Sequence, residues 1–524
     1  MSENKAIFRS AGILSIFIVI FRITGFLRSV LIANIFGTSI AAQAFFVAFK
    51  IPNMLRDIMG EGAANAAFVP VFSQYLIHKQ REDFNRLVNT LFKILAVVSA
   101  SISIFGLILA SPIVRVMAPG FLNDPEKFRL TVNLTRILFP YLFLITISAF
   151  MMSVSNTFKS FAVPASSSIV FNLVLIIAII IIGKAGLVYP VYALCFAVLF
   201  AGVVQVLFQM PSLSKLGVDF AGGGTYGKPF KEEGIKKIGK LIAPRIAGTS
   251  IYQINIFIDT IFASLAAFVG EGAIAAIFYA NLLIQFPFSV FGVALSNAAL
   301  PTMSVHAAKK DLNSLNTTLN FSFKTVFICI VPLAAGLMVF SFPLVKAVFE
   351  RGEFDAYSTL ITSKALFFYS FGLLGYVGVR FLSLGFYAMQ DTITPVKTAT
   401  VSLFMNILFN SVFVFIFRLG ISGLAIASSI SATVNFILLY RLMKKRTGYV
   451  FSRDFVRLMV KIFCSSSVMV LAAWFLWRTL FRSGSSFVVM SLIALSGAFM
   501  YAGLLWLLDV EELKGVINWL KRKR

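Results

Sequence analysis

The sequence predicts an all-α polytopic membrane protein of about fourteen transmembrane helices, in two pseudo-symmetric six-helix lobes with two C-terminal helices added. Three observations carry that reading. Hydrophobic residues make up 59% of the 524 and charged residues only 13%, with a mean hydropathy of +0.91, too little polar side chain to cover a water-soluble globule. Apolar runs long enough to cross a hydrocarbon layer of roughly 30 Å recur from residue 11 to residue 508. Lysine and arginine alternate in density from one connection to the next, the signature of a chain threading back and forth.

Taken in order, the spans are expected near 11–35, 42–67, 87–111, 131–156, 162–183, 187–210, 241–268, 273–300, 317–341, 357–389, 394–417, 421–442, 456–477 and 486–508. The runs are continuously apolar rather than alternating, which excludes an outer-membrane barrel. Lys5 and Arg9 precede the first span, which has arginines of its own and no small-residue cleavage site, so it is expected to be a retained helix and not a cleaved signal.

The formal charge of +25 raises nucleic acid as a partner, and the placement of the cations decides against it. The dense connections hold Lys79, Arg81 and Arg86, residues 215–240, Lys309 and Lys310, residues 441–457 and residues 521–524. The sparse set holds Arg115, Lys127, Arg129, Lys184, Arg351, Arg418, Arg478 and Arg482. Both termini are therefore expected in the cytoplasm, and the basic excess reads as topology and contact with anionic lipid, with no nucleic-acid partner.

The chain also repeats itself. Asn65-Ala-Ala-Phe-Val-Pro70 resembles Asn297-Ala-Ala-Leu-Pro301, with prolines 231 apart (301 − 70), and Pro164 and Pro395 stand at the same offset (395 − 164). The shift lays Phe21-Arg22-Ile23-Thr24 on Tyr252-Gln253-Ile254-Asn255 and sets Arg28 opposite Asp259. The predicted organisation is a first lobe of residues 1–231, a second of 232–462, and residues 463–524 carrying two more helices and a basic tail. An even number of helices per repeat gives both lobes the same orientation, with a binding cavity expected between them.

Most catalytic patterns are absent or fail on chemistry. Gly222-Gly-Gly-Thr-Tyr-Gly227-Lys228-Pro229 starts like a phosphate-cradling loop, but Pro229 occupies the place of the magnesium-binding hydroxyl and no strand precedes it, so a cytoplasmic linker is expected. His78 and His306 fall in connections, and no nucleophile has a base in a recognisable arrangement. Cys195, Cys329 and Cys464 are dispersed in apolar helices and suit neither a metal site nor disulfides. The protein is read as no enzyme and as needing no cofactor.

What remains is charge inside the spans, which costs a few kcal/mol per residue and needs a partner, water or a function. Arg22 and Arg28 lie in the first span, Lys50 and Arg56 in the second, Arg245 in the seventh and Arg380 in the tenth. Arg22 and Arg28 are about 120° apart on an ideal helix, so a bend at Thr24-Gly25 is needed to turn both to one cavity. The alternative is snorkelling to an interface, most of all for Arg245 and Arg380. Asp57 and Glu61 offset part of the charge, yet cations still exceed acids in the first lobe, and a forked guanidinium matches a diphosphate.

These residues sit in longer motifs that resemble the MurJ (MviN) lipid II flippases of the bacterial cytoplasmic membrane, members of the multidrug/oligosaccharidyl-lipid/polysaccharide exporter superfamily. The carriers are Arg22-Ile-Thr-Gly-Phe-Leu-Arg28, Ala44-Phe-Phe-Val-Ala-Phe-Lys-Ile-Pro-Asn-Met-Leu-Arg56, Glu61-Gly-Ala, Phe68-Val-Pro70, Ala118-Pro-Gly-Phe121, Gly292-Val-Ala-Leu295 and Gln390-Asp-Thr-Ile-Thr-Pro-Val-Lys397. The resemblance implies a monomeric flippase that carries undecaprenyl-diphosphate-linked peptidoglycan precursor across by alternating access, Arg22, Arg28 and Arg56 meeting the diphosphate. It also implies that the two extra helices form a lipid-tail groove with the second lobe. This chain departs from many relatives in reading Tyr279-Ala-Asn281-Leu282 where they carry an acid and an arginine, and in having Gln43 and Ser29 where some carry aspartates. Arg245 is the expected substitute for the missing cation. An exporter of another lipid-linked glycan, a multidrug antiporter and a non-transporting scaffold are the rival readings.

With no nucleotide site, transport is expected to draw on membrane potential or an ion gradient. Asn255 and Asp259 stand four residues apart in the seventh span, and Asn406 and Asn410 four apart in the eleventh. They are the expected ligands of a sodium ion or a proton, and some relatives resemble this in binding a cation between the seventh, eleventh and twelfth helices. Pairing of Asp259 with an arginine of the first lobe is the rival expectation. Residues 511–524 mix Val516, Ile517, Trp519 and Leu520 with cations and are expected to lie on the inner leaflet.

Overall fold

The computed structural model describes residues 2–56, 62–218, 220, 224–225, 227, 232–480 and 486–510, without the side chains of 2–16, 18, 55–56, 62–66, 243–249 and 480. Every regular element among them is helical. The chain divides between Leu265 and Ala266 into two compact units. The first holds α1 (Ser2–Phe36), α2 (Ile40–Arg56), α3 (Gly62–His78), α4 (Arg81–Ile108), α5 (Ala110–Met117), α6 (Pro125–Thr157), α7 (Ala162–Lys184), α8 (Pro190–Lys215) and α9 (Glu233–Ser264). The second holds α10 (Ala266–Val269), α11 (Ala273–Pro287), α12 (Ala294–Ala308), α13 (Leu312–Val339), α14 (Ser341–Phe349), α15 (Ala356–Ala388), α16 (Ile393–Ser411), α17 (Ile421–Thr447), α18 (Arg453–Leu480) and α19 (Phe487–Leu507).

Twelve of the described helices are long and apolar enough to cross a membrane, and Ile40–Met54 is a shorter apolar helix. With the 32-residue α9, each of the fourteen expected spans has its helix. The second expected span, 42–67, is covered by α2 and the start of α3, with 57–61 outside the described residues. His78 and His306 are in the last turns of α3 and α12, not in loops.

The offset of 231 reappears in the element boundaries. The helix α4 starts at Arg81 and α13 at Leu312 (312 − 81), α5 at Ala110 and the short α14 at Ser341 (341 − 110), α6 at Pro125 and α15 at Ala356 (356 − 125). Glycines with positive φ close α8 and α17 at the same shift, Gly217 and Gly448. The repeat and the packing nevertheless divide the chain differently. The helix α9, first of the expected second repeat, packs against α3 and falls in the first unit, 34 residues beyond 231 (265 − 231).

Each unit is built around one buried helix. Of the membrane-spanning stretch, 72% is buried in α6 and 61% in its repeat partner α15, against 22% in α1 and 17% in α16. The peripheral helices turn Val97, Phe105, Ile177 and Ile181 outward, as lipid-facing surface requires. In the second unit α18 packs on α13, and α19 on α18 and α14.

The Gln390-Asp-Thr-Ile-Thr-Pro motif joins α15 to α16. Gln390 takes a left-handed φ of 60°, and Asp391 accepts hydrogen bonds from the Ile393 and Thr394 backbone N–H at 3.1 and 3.0 Å and from the Thr394 hydroxyl at 2.8 Å. Arg446 on α17 donates to it at 2.5 Å. Burial alone raises this carboxyl, but the Thr394 bonds and the Arg446 charge outweigh it and hold Asp391 below the usual carboxylate range.

Candidate functional site

On α1, which runs unbroken through Thr24-Gly25, Arg28 donates from Nη1 to Asn172 Oδ1 of α7 at 3.0 Å. Asn172 is 1% exposed, and its Nδ2 donates in turn to Thr24 Oγ1 at 3.2 Å and to the Phe21 carbonyl at 3.4 Å. Thr24 can accept because its own proton goes back to the Ile20 carbonyl at 2.9 Å. One amide thus ties the guanidinium to a full turn of α1. Arg22 is exposed on the same helix.

Lys50 on α2 donates to Thr260 Oγ1 of α9 at 2.5 Å, and the adjacent Asp259 carboxylate attracts its ammonium. Lys50 is thus a first-lobe cation brought to the residue next to Asp259. Asn255 lies one turn before Asp259 on α9, half-buried like it. The side chains of Arg56 and Arg245, with Asp57 and Glu61, are outside the described residues, as are 511–524 and most of the 222–229 loop.

In the second unit Arg380 on α15 donates from Nε to Ser296 Oγ at 3.1 Å and from Nη2 to Asn297 Oδ1 at 3.4 Å. Asn410 donates to Asn406 Oδ1 at 2.9 Å, and Asn406 donates to Ser428 Oγ of α17 at 3.3 Å, all inside the unit. In the Tyr279-Ala-Asn281-Leu282 segment, Tyr279 is buried against Phe349 and Phe354, with ring centroids at 5.2 and 5.4 Å. Gln43 and Ser29, at the other departures, are satisfied by backbone, through Thr38 O at 3.4 Å and Gly25 O at 3.0 Å.

Sequence reading missed Asn172, Thr260, Ser296 and Ser428 as partners of the site residues. The available signal was a polar residue in an otherwise apolar run, as with Asn172 between Phe171 and Leu173. Among the described residues no group of three or more histidine, cysteine or carboxylate side chains is arranged to hold a metal.

A duplicated set of membrane-crossing helices with arginines on the spans, held in place by amides and hydroxyls from neighbouring helices, defines a polytopic membrane transporter. The family model described as lipid II flippase MurJ matches residues 32–497. The chain belongs to that family. It is 34% identical over 471 residues to the lipid II flippase MurJ of Burkholderia cenocepacia, covering 90% of each chain. It is 32% identical over 531 residues to the probable lipid II flippase MurJ of Vibrio cholerae, covering 98% of each. A solved lipid II flippase MurJ in an inward closed conformation superposes with a TM-score of 0.76 at 26% identity, covering 94% of this chain and 97% of that one. An inward-facing multidrug resistance transporter of the MATE family, at 17% identity and a TM-score of 0.69 over 82% of this chain and 94% of that one, shares the fold alone.

Proposed function

We propose that this protein is a lipid II flippase of the bacterial cytoplasmic membrane, with both termini in the cytoplasm, that carries the undecaprenyl-diphosphate-linked precursor to the outer leaflet by alternating access as a monomer. Membership of the lipid II flippase MurJ family carries the reading. It is supported by Arg28, whose guanidinium is oriented by the buried Asn172 and whose planar fork matches a phosphate. Arg22, Arg28 and Arg56 are the proposed diphosphate ligands, with Lys50, Arg245 and Arg380 adding to the cationic field. No group on the spans is asked to make or break a covalent bond. The work is differential binding of one anion in two states.

Asp259 is the proposed coupling group, fed by a sodium ion or proton gradient or by membrane potential. Lys50, hydrogen-bonded to the adjacent Thr260, places a positive charge next to it with which a bound cation would compete. Asp259→Asn is expected to remove the response of flipping to sodium and potential in proteoliposomes. An unchanged response refutes the coupling role.

The deciding experiment is complementation of a strain depleted of its own flippase, paired with proteoliposome flipping of lipid II and of undecaprenyl diphosphates bearing other glycans. Growth and preferential flipping of lipid II are expected, and alanine at Arg22, Arg28 or Arg56 is expected to abolish both at normal membrane abundance. Efflux of cationic drugs without complementation would establish the antiporter instead.

A further inference from the structure

We infer that Arg380, Ser296 and Asn297 form a second phosphate-binding station, built wholly in the second unit, for the head of a lipid diphosphate; it rests on the flippase reading. The motive is a charge with no structural reason to exist. The repeat partner of Arg380 on α6 is Ala149 (380 − 231), buried at 6% exposure, so this scaffold position folds without a cation. Among the described residues no carboxylate pairs with Arg380, whose partners are a hydroxyl and an amide. Neutral acceptors orient a guanidinium and leave its charge in place. Of five N–H donors two are engaged, and three are left for an oxyanion.

Depth fits the same ligand. The 33-residue α15 is roughly 50 Å long, about 20 Å more than a hydrocarbon core. Arg380 precedes Ala388 by eight residues (388 − 380), about 12 Å, which sets it near the level of the lipid phosphates on the side of Asp391 and Arg446. Lysines 309 and 310 follow α12 on that side, the cation-rich and hence cytoplasmic one, where the substrate is loaded.

The local backbone is specialised too. A π-helical turn, Phe288–Val293, interrupts the α11–α12 span shortly before Ser296. Such turns widen the helix, shift the following residues round its axis and recur at functional sites. Here the residues that follow are the two partners of Arg380. Asn297 is exposed, so its amide nitrogen is open to a phosphate oxygen while its Oδ1 accepts from Arg380.

The test uses the full chain in nanodiscs of zwitterionic lipid, with undecaprenyl diphosphate as probe, compared with discs containing phosphatidylglycerol. Arg380→Ala should weaken probe binding roughly tenfold to a hundredfold, the loss expected for charge-assisted hydrogen bonds. Arg380→Lys should recover part of it, and Asn297→Leu, at an exposed position with little bearing on folding, should weaken binding several-fold. Unchanged binding in Arg380→Ala and Asn297→Leu, with Arg28→Ala still impaired, overturns the station and leaves the flippase reading standing. Indifference to Arg28→Ala as well overturns both. A loss confined to discs with phosphatidylglycerol assigns the site to a resident phospholipid and overturns the proposal.

Discussion

The same helix contact is solved in opposite ways in the two units. In the first, α8 brings Gly202 against Tyr141 and Leu144 of α6, so the small residue is on α8 and the large ones on α6. In the second, the positions 231 later reverse the sizes: α15 carries Gly372 and Gly375 where α6 has Tyr141 and Leu144, and α17 carries Thr433 where α8 has Gly202. A Cβ on Gly202 would meet side-chain carbons of Leu144 and Tyr141 at 3.1 and 3.2 Å, whereas one on Gly375 would meet the backbone of Ala432 and Thr433 at 3.0 Å. The lesson is that close packing, without a hydrophobic drive between helices in lipid, needs one small partner but does not dictate which helix supplies it. The second unit, where backbone meets backbone, is the less forgiving.

That contrast breaks most readily at Gly375. Gly375→Leu imports the residue that α6 has at the equivalent place, into a space bounded by backbone that cannot rotate away, and should cost about 3 kcal/mol. The amount and thermal midpoint of detergent-extracted protein read this out, and Thr433→Gly in the same chain should return part of the loss. Equal stability of Gly375→Leu and the parent would show that α15 and α17 do not approach as closely as described.

Asn172→Leu is expected to cost about 2 kcal/mol by stripping Arg28, Thr24 and the Phe21 carbonyl of their shared amide. It should also lower affinity for a lipid diphosphate, an effect that vanishes in an Arg28→Ala background if the amide acts through that arginine. Additive losses in the double variant would separate the two residues.

A milder effect is expected from Gly202→Ala, about 1 kcal/mol, because the Leu144 and Tyr141 side chains can yield by a few tenths of an ångström. If it proves as damaging as Gly375→Ala, the distinction between the units fails.

The smallest effect is the acid sensitivity of the Asp391–Arg446 clasp. Since the carboxyl titrates lower folded than unfolded, its contribution is full above the unfolded value of about 3.9 and fades as pH falls through the folded one, and it amounts to a fraction of a kcal/mol because Arg446 is half exposed. Thermal midpoints should therefore be flat in this respect from pH 7 to about 5 and drop further below it in the parent than in Asp391→Asn. Identical acid profiles would remove the clasp from the account.

Particular residues mark where sequence reading stopped. The spans were legible because every stretch of helix in lipid must be apolar along its length, and the repeat because Pro70 and Pro301, and Pro164 and Pro395, keep one spacing. Arg28 and Arg380 were legible as charges in apolar surroundings, but their partners are 144 and 84 residues away and declare themselves only as isolated polar residues.

The sequence by itself determined the class, the number of crossings, the duplication and the cations on the spans, because each follows from what water and lipid require of a single segment. Only the tertiary structure decided that Lys50 goes to Thr260 beside Asp259, that Asn172 aligns Arg28, that Ser296 and Asn297 hold Arg380, and that α9 packs with the first unit. Those are choices among partners on different helices, and a buried polar group accepts any neighbour of fitting geometry, so the choice is made when the helices pack.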